Sequence, residues 1–201
     1  MDTMDSIKRL KACYKKLPSV GEKTAERLAY ASLGFKEEQI DEFIDSFKAI
    51  RDNVHVCPKC GMYIDTPFCP ICDDKSRDMT SLLIVSDMKD VISFERTKKY
   101  FGMYFILGGL LSPLKGVDAE ALKLPYLKEL IKERNVKEVI LATSSTLEGE
   151  TTALYINKYL SSFNLKITRL AYGLPVGADL EYVDGLTIER SFNARTDMKG
   201  N

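Results

Sequence analysis

Four of the five cysteines in this 201-residue chain fall within residues 57–72, in the run CPKCGMYIDTPFCPICDD. The spacing is C-x2-C-x8-C-x2-C. Each C-x-x-C folds as a knuckle that points two thiolates at one centre, and two knuckles supply the four sulfurs that zinc binds tetrahedrally at about 2.3 Å. Pro58 and Pro70 stiffen the turns, and Gly61 permits an unusual backbone angle after the first knuckle. Four thiolates leave no open coordination position, so a metal held by Cys57, Cys60, Cys69 and Cys72 is structural and not catalytic. A module of roughly 16 residues buries too little to fold alone, so the metal is expected to hold it together. Iron is the chemical rival for the same cage, and two disulfides are the redox alternative. The lone His55 reads as a bystander, since four cysteines complete the shell. Cys13 stands apart in the first helix and reads as a buried thiol.

The rest of the chain must make a core large enough to carry such a module. Hydrophobic residues make up 45% and charged residues 29%, the balance of a soluble globular protein. The longest apolar runs, such as SLLIV and VILA, are too short to cross a membrane, and the first ten residues have no apolar signal core. A cytoplasmic protein is expected. Before the cysteines, Ile7, Leu10, Tyr14 and Leu17 give a helix over 6–17. Pro18 and Gly21 break it, Ala25, Leu28, Ala29 and Leu33 form the stripe of a second helix, and Gly34 stops that one. A third is expected over about 37–51, with Ile40, Phe43, Ile44 and Phe47 on one face. From Met79 the texture alternates between strands (SLLIVS, MYFILGG, VKEVILAT, LKITRLA) and helices over 87–98, 118–133 and 149–162. Such alternation builds a parallel α/β sheet. A short helix near 186–194 closes the chain. The fold class is therefore α/β and multi-modular, divided as a helical region 1–54, a four-cysteine zinc-finger module 55–76, a sheet domain 79–173 and a tail 174–201.

Formal net charge is zero, but its distribution is uneven. Residues 7–27 carry seven basic side chains against Glu22 and Glu26, whereas 37–45 carry five acids and no base. A neutral chain with a basic end fits contact with phosphate on one face, or simply two solvated helix faces of opposite sign. The basic stretch contains LPSVGEKTAERLA, which resembles the helix-hairpin-helix motif of DNA-binding proteins. A tight turn there presents backbone N–H groups at a helix start, and these hold phosphate without reading bases. Lys23 and Arg27 lie four apart on one helix face and can straddle a nucleic-acid backbone. Ser19 stands where that motif usually has glycine.

The carboxyl ends of the strands are where open α/β sheets place their chemistry. Here the stretch is ILATSSTLEGETTALYI, which resembles the central motif of the Toprim domain of topoisomerases, primases and some repair proteins. Catalytic Toprim domains hold magnesium with a D-x-D pair, a following E-G-E-like stretch and a glutamate ending the first strand. In this chain the aspartate positions are Ser144 and Thr146, and the first-strand acid is Ser86, so only Glu148 and Glu150 remain. Neutral hydroxyls do not supply the charge that Mg²⁺ needs from a few protein oxygens. A Toprim domain without catalytic metal, and so without catalytic residues, is expected. A metal-dependent nuclease or topoisomerase-like enzyme using Glu148, Glu150 and Asp87 is the alternative. Glu148 also has a purely structural reading, as a carboxylate near a helix N-terminus.

Hairpin, four-cysteine module and Toprim motif occur in that order, with ERTKKYFGMYFILGGLLSPLKGV, TRLAYGLPVGADLEYVDGLTI and a closing NAR. Across essentially its whole length the chain resembles the RecR family of bacterial recombination mediators. The resemblance implies a non-enzymatic DNA clamp in recombinational repair, assembled as a ring-shaped tetramer. It implies action with RecO and RecF to load RecA on single-stranded DNA, in the cytoplasm at the nucleoid. It implies one structural zinc ion per chain, a DNA path lined by Lys23 and Arg27, and Glu148 facing RecO. LPVGADLEYVD matches the family's Walker-B-like stretch, but no P-loop glycine-lysine signature accompanies it, so ATP hydrolysis is not expected.

Overall fold

The computed structural model describes residues 4–197. These divide into two compact units that meet in sequence at Val54 and His55. The first unit is three helices: α1 (Asp5–Tyr14), α2 (Glu22–Ala31) and α3 (Glu37–Asn53). Helices α1 and α2 form a hairpin in which α2 buries only Ala25 and Ala29 and α1 buries Ile7. Small side chains on α2 let the two backbones approach. The Tyr14 hydroxyl lies 2.8 Å from Ser32 Oγ, tying the end of α1 to the end of α2. A single 3₁₀ turn, Ser32–Gly34, follows α2, so the second helix is shorter than its sequence stripe suggests and Leu33 is exposed. Cys13 is exposed as well, contrary to the expectation of a buried thiol. The hairpin core is too thin to reach it. Helix α3 buries none of its residues, and its apolar face lies open.

The second unit opens with the two-residue strands β1 (His55–Val56) and β2 (Tyr63–Ile64), paired antiparallel across the first knuckle. There follow β3 (Asp78–Val85), α4 (Met88–Thr97), β4 (Gly102–Ile106), α5 (Leu124–Arg134), β5 (Glu138–Ala142), α6 (Leu147–Tyr159), β6 (Lys166–Arg169) and α7 (Gly185–Asn193). The four longer strands form one parallel sheet in the order β4-β3-β5-β6. Strand β4 is wholly buried, as is the second half of β3, which explains their unbroken apolar runs. Chain order reverses between β3 and β5, so the carboxyl ends of these two strands form the switch-point crevice of the sheet. Helix α5 begins later than the 118–133 pattern implies. The Asp118 carboxylate accepts from the N–H groups of Glu120 and Ala121, and Lys123 adopts a left-handed φ of 55° as the N-cap before Leu124 and Pro125 open the helix.

The cysteine module packs into the sheet's own core. Ile64, Ile71 and three of the cysteines share one buried cluster with the strands. The Ile106 N–H donates to the Cys60 carbonyl at 2.8 Å. Gly61 has a φ of 84°, and a Cβ there would meet the Ile106 carbonyl oxygen at 2.9 Å. Metal is therefore not the module's sole support, as its short length had implied.

Candidate functional site

Three places concentrate chemistry. The first is the cysteine cage. The ligand atoms of Cys57, Cys60, Cys69 and Cys72 all lie within 4.8 Å of one another. The Cys57 and Cys72 sulfurs are 3.9 Å apart and those of Cys60 and Cys69 3.6 Å. A zinc–sulfur tetrahedron has edges of about 3.8 Å, so the cage fits that ion. The Cys72 N–H donates to Cys69 Sγ at 3.4 Å, the outer bonding that orients a thiolate knuckle. Cys72 is the least buried of the four, and Arg134 at the end of α5 places Nη2 3.6 Å from its sulfur. The neighbouring Cys60 thiol and then this guanidinium pull the Cys72 thiol below the ordinary thiol range, while the Cys72 sulfur and burial push Cys60 up. His55 lies on β1 outside the cage.

The second place is the start of α2. Ser19 holds a left-handed φ of 64°, the conformation glycine would adopt there without strain. Gly21 is the N-cap in an extended conformation, and no side chain caps the helix. The first-turn N–H groups are thus left for an anion. Lys11 and Lys15 are engaged by Glu22, at 2.6 and 2.5 Å. Their hydrogen bonds, Lys11 first, pull the Glu22 carboxyl down to about 2. Lys23 and Arg27 are exposed on α2, with no carboxylate partner among the described residues.

The third place is the switch-point crevice, a cavity of about 530 Å³ whose walls include Ser86, Asp87, Gly108, Lys115 and Glu148. The hydroxyls at the D-x-D positions serve the backbone. Ser144 Oγ and Thr146 Oγ1 are 2.8 Å apart, and Thr146 caps α6 by accepting from the Gly149 N–H at 3.2 Å. Asp87 caps α4, accepting from the Lys89 N–H at 2.9 Å. Ser86 Oγ is buried with no hydrogen-bond partner among the described residues. Gly149 admits no side chain, because a Cβ would fall 2.1 Å from the Ser144 carbonyl oxygen. Glu148 is exposed at the crevice. Glu150 does not join it there. Arg169 at the end of β6 donates to Glu150 Oε1 at 2.7 Å and to Thr143 Oγ1 at 3.0 Å. Tyr172 donates to the same Glu150 oxygen, and Arg190 of α7 lies 3.8 Å from it while covering the Tyr172 ring at 4.7 Å. Sequence reading missed Arg169, Tyr172 and Arg190, whose spacings carry no motif.

The Toprim domain family matches residues 80–171, and the RecR C-terminal family matches residues 173–196. Recombination protein RecR of Limosilactobacillus fermentum is 40% identical over 199 residues, covering 98% of this chain and 100% of that one. The chain belongs to the RecR family. The RecR of Lactobacillus johnsonii is 42% identical over 193 residues, 96% of this chain and 97% of that one. That of Staphylococcus haemolyticus is 40% identical over 194 residues, at 96% and 98%. The α/β fold, the parallel Toprim sheet and a zinc-compatible cysteine cage are thus the features of a RecR-family chain. No described helix is long and apolar enough to cross a membrane.

Proposed function

We propose that this protein is a non-enzymatic recombination mediator, a DNA clamp of recombinational repair in the cytoplasm. The observation that carries the reading is full-length similarity to recombination proteins, and an uncapped hairpin helix presenting Lys23 and Arg27 supports it. Phosphate oxygens of single- or double-stranded DNA accept from the α2 N–H groups and these two cations. The division into a hairpin region 1–54, a zinc module 55–76, a Toprim domain 79–173 and an assembly tail 174–201 is part of the proposal. So is one structural Zn²⁺ per chain on Cys57, Cys60, Cys69 and Cys72. Two bared apolar surfaces support self-assembly into a ring-shaped tetramer. One is α3, where Phe47 and Ile50 are 66% and 60% exposed. The other is the tail, where Val176 and Tyr182 stand in solvent. RecO meets the crevice rim at Glu148, and RecF and RecA-loading complete the pathway.

The lack of catalytic residues is supported by what the acids do. Asp87 caps a helix, Glu150 answers to two arginines, and hydroxyls occupy the paired aspartate positions.

A salt-titrated binding assay tests the reading. Each phosphate contact contributes about 0.9 to the slope of log affinity against log salt on duplex DNA. Replacing Lys23 and Arg27 together by alanine is expected to weaken binding at least tenfold and lower the slope by about 1.8. Unchanged affinity and slope would reject the hairpin as the DNA site. Magnesium-dependent cutting or relaxation of DNA that disappears in Glu148→Ala would reject the non-enzymatic reading.

A further inference from the structure

The outer surface of α5 and α6 carries a cluster that the reading above does not use. Tyr155 and Tyr159 sit one turn apart on α6 with their rings stacked, centroids 6.0 Å apart and planes 17° from parallel. Lys128 of α5 places its ammonium 3.8 Å from the Tyr159 centroid. These residues and Lys158 line a surface cavity of about 400 Å³. One turn along α5, Lys132 lies 5.8 Å from the Phe163 ring. Tyr155 is 41% exposed although it is a large aromatic. Lys128, Lys132 and Lys158 have no carboxylate partner among the described residues, unlike Lys166, which pairs with Glu138 at 3.0 Å.

We propose that this α5–α6 face binds single-stranded nucleic acid. An unpaired base stacks on the Tyr155 ring, and flanking phosphates pair with Lys128 and Lys158. The lysines select an anion. The parallel rings add a planar, apolar platform that a free phosphate would not use. Only an unstacked base offers its face to a surface ring, so a duplex, whose bases are hidden, gains the charge contacts alone. A cation already lies over Tyr159, which leaves Tyr155 as the open end of the stack. The inference takes its ligand class from the nucleic-acid reading of the preceding subsection, but it concerns different residues in a different unit.

The test uses the full-length protein and fluorescein-labelled oligothymidine beside a duplex of equal length, with anisotropy read across a salt series. Tyr155→Ala is expected to weaken oligothymidine binding about tenfold, and Tyr155→Phe to restore it, because stacking needs the ring and not the hydroxyl. Replacing Lys128 and Lys158 by glutamine is expected to lower the single-strand salt slope by about 1.4. The Lys23→Ala, Arg27→Ala variant runs alongside. If it responds while the Tyr155 and lysine variants bind as wild type does, the α5–α6 proposal is overturned and the hairpin reading stands. If only the α5–α6 variants respond, the hairpin reading fails and this one stands. Three further results would each overturn the proposal: equal loss on duplex and single strand, competition by polyglutamate as strong as by oligothymidine, or a Tyr155→Ala defect confined to self-association.

Discussion

Ser19 shows how a single residue can depart from a motif while the local backbone keeps it. Its φ of 64° is the left-handed value that an L side chain adopts only against steric resistance of roughly 1 kcal/mol. Gly21, the glycine the sequence does supply, sits in an extended conformation open to any residue. Ser19→Gly is therefore expected to stabilise the hairpin unit by about 0.5 kcal/mol or less, measured by urea unfolding, because the larger flexibility of the unfolded glycine chain offsets much of the relieved strain. Arg134 makes a second residue-scale case. Its guanidinium faces the most exposed thiolate of the cage, where an electrophile would begin to strip the metal. Arg134→Gln is expected to speed metal release to a chelator by about tenfold or more, and Arg134→Lys to restore part of the wild-type rate. Neither residue's situation could be read from sequence. Positive φ leaves no mark on a serine, and Arg134 meets Cys72 across 62 positions of chain.

At the scale of elements, the parallel sheet was legible because buried strands announce themselves. β4 reads as an unbroken apolar run, and every one of its residues is buried. Helix ends were less legible where side chains compete for the backbone. Asp118 captures two N–H groups and delays α5, and Thr146 starts α6 two residues before its apolar pattern suggests. Glu150, Arg169 and Arg190 remained invisible as a group, since ion pairs between elements have no period. The α1–α2 hairpin carries an ion cluster of its own, and its pH dependence follows. Glu22 has a folded-state value of about 2 against an ordinary 4.5, so its contribution is present above 4.5 and fades as pH falls from 4.5 toward 2. Glu22 and Lys15 are exposed and Lys11 is half-buried, so salt weakens the cluster further. Helical circular dichroism of wild type and Glu22→Gln, followed from about pH 6 to 2 at low ionic strength, is expected to converge at the acid end.

For the whole molecule, the cysteine module matters because it shares the sheet's core. Cys69→Ser removes one ligand and loosens Ile64 and Ile71, which pack with the strands. The expected result is a drop in melting temperature on the order of 10 °C for the sheet unit, seen by calorimetry together with loss of bound metal. The same joint protects a vulnerable boundary. β4 is an outer strand of the sheet, and its outward groups are taken up locally: the Gly102 carbonyl accepts from Arg77 at 3.1 Å and the Ile106 N–H donates to the Cys60 carbonyl. Oxidation or chelation that loosens the cage would free the Ile106 N–H on the outer edge of β4, and an unpaired strand edge of this kind is a template on which other copies pair. A chain whose cage is oxidised is therefore expected to aggregate at a lower temperature than the intact chain, a difference that light scattering during a thermal ramp reads.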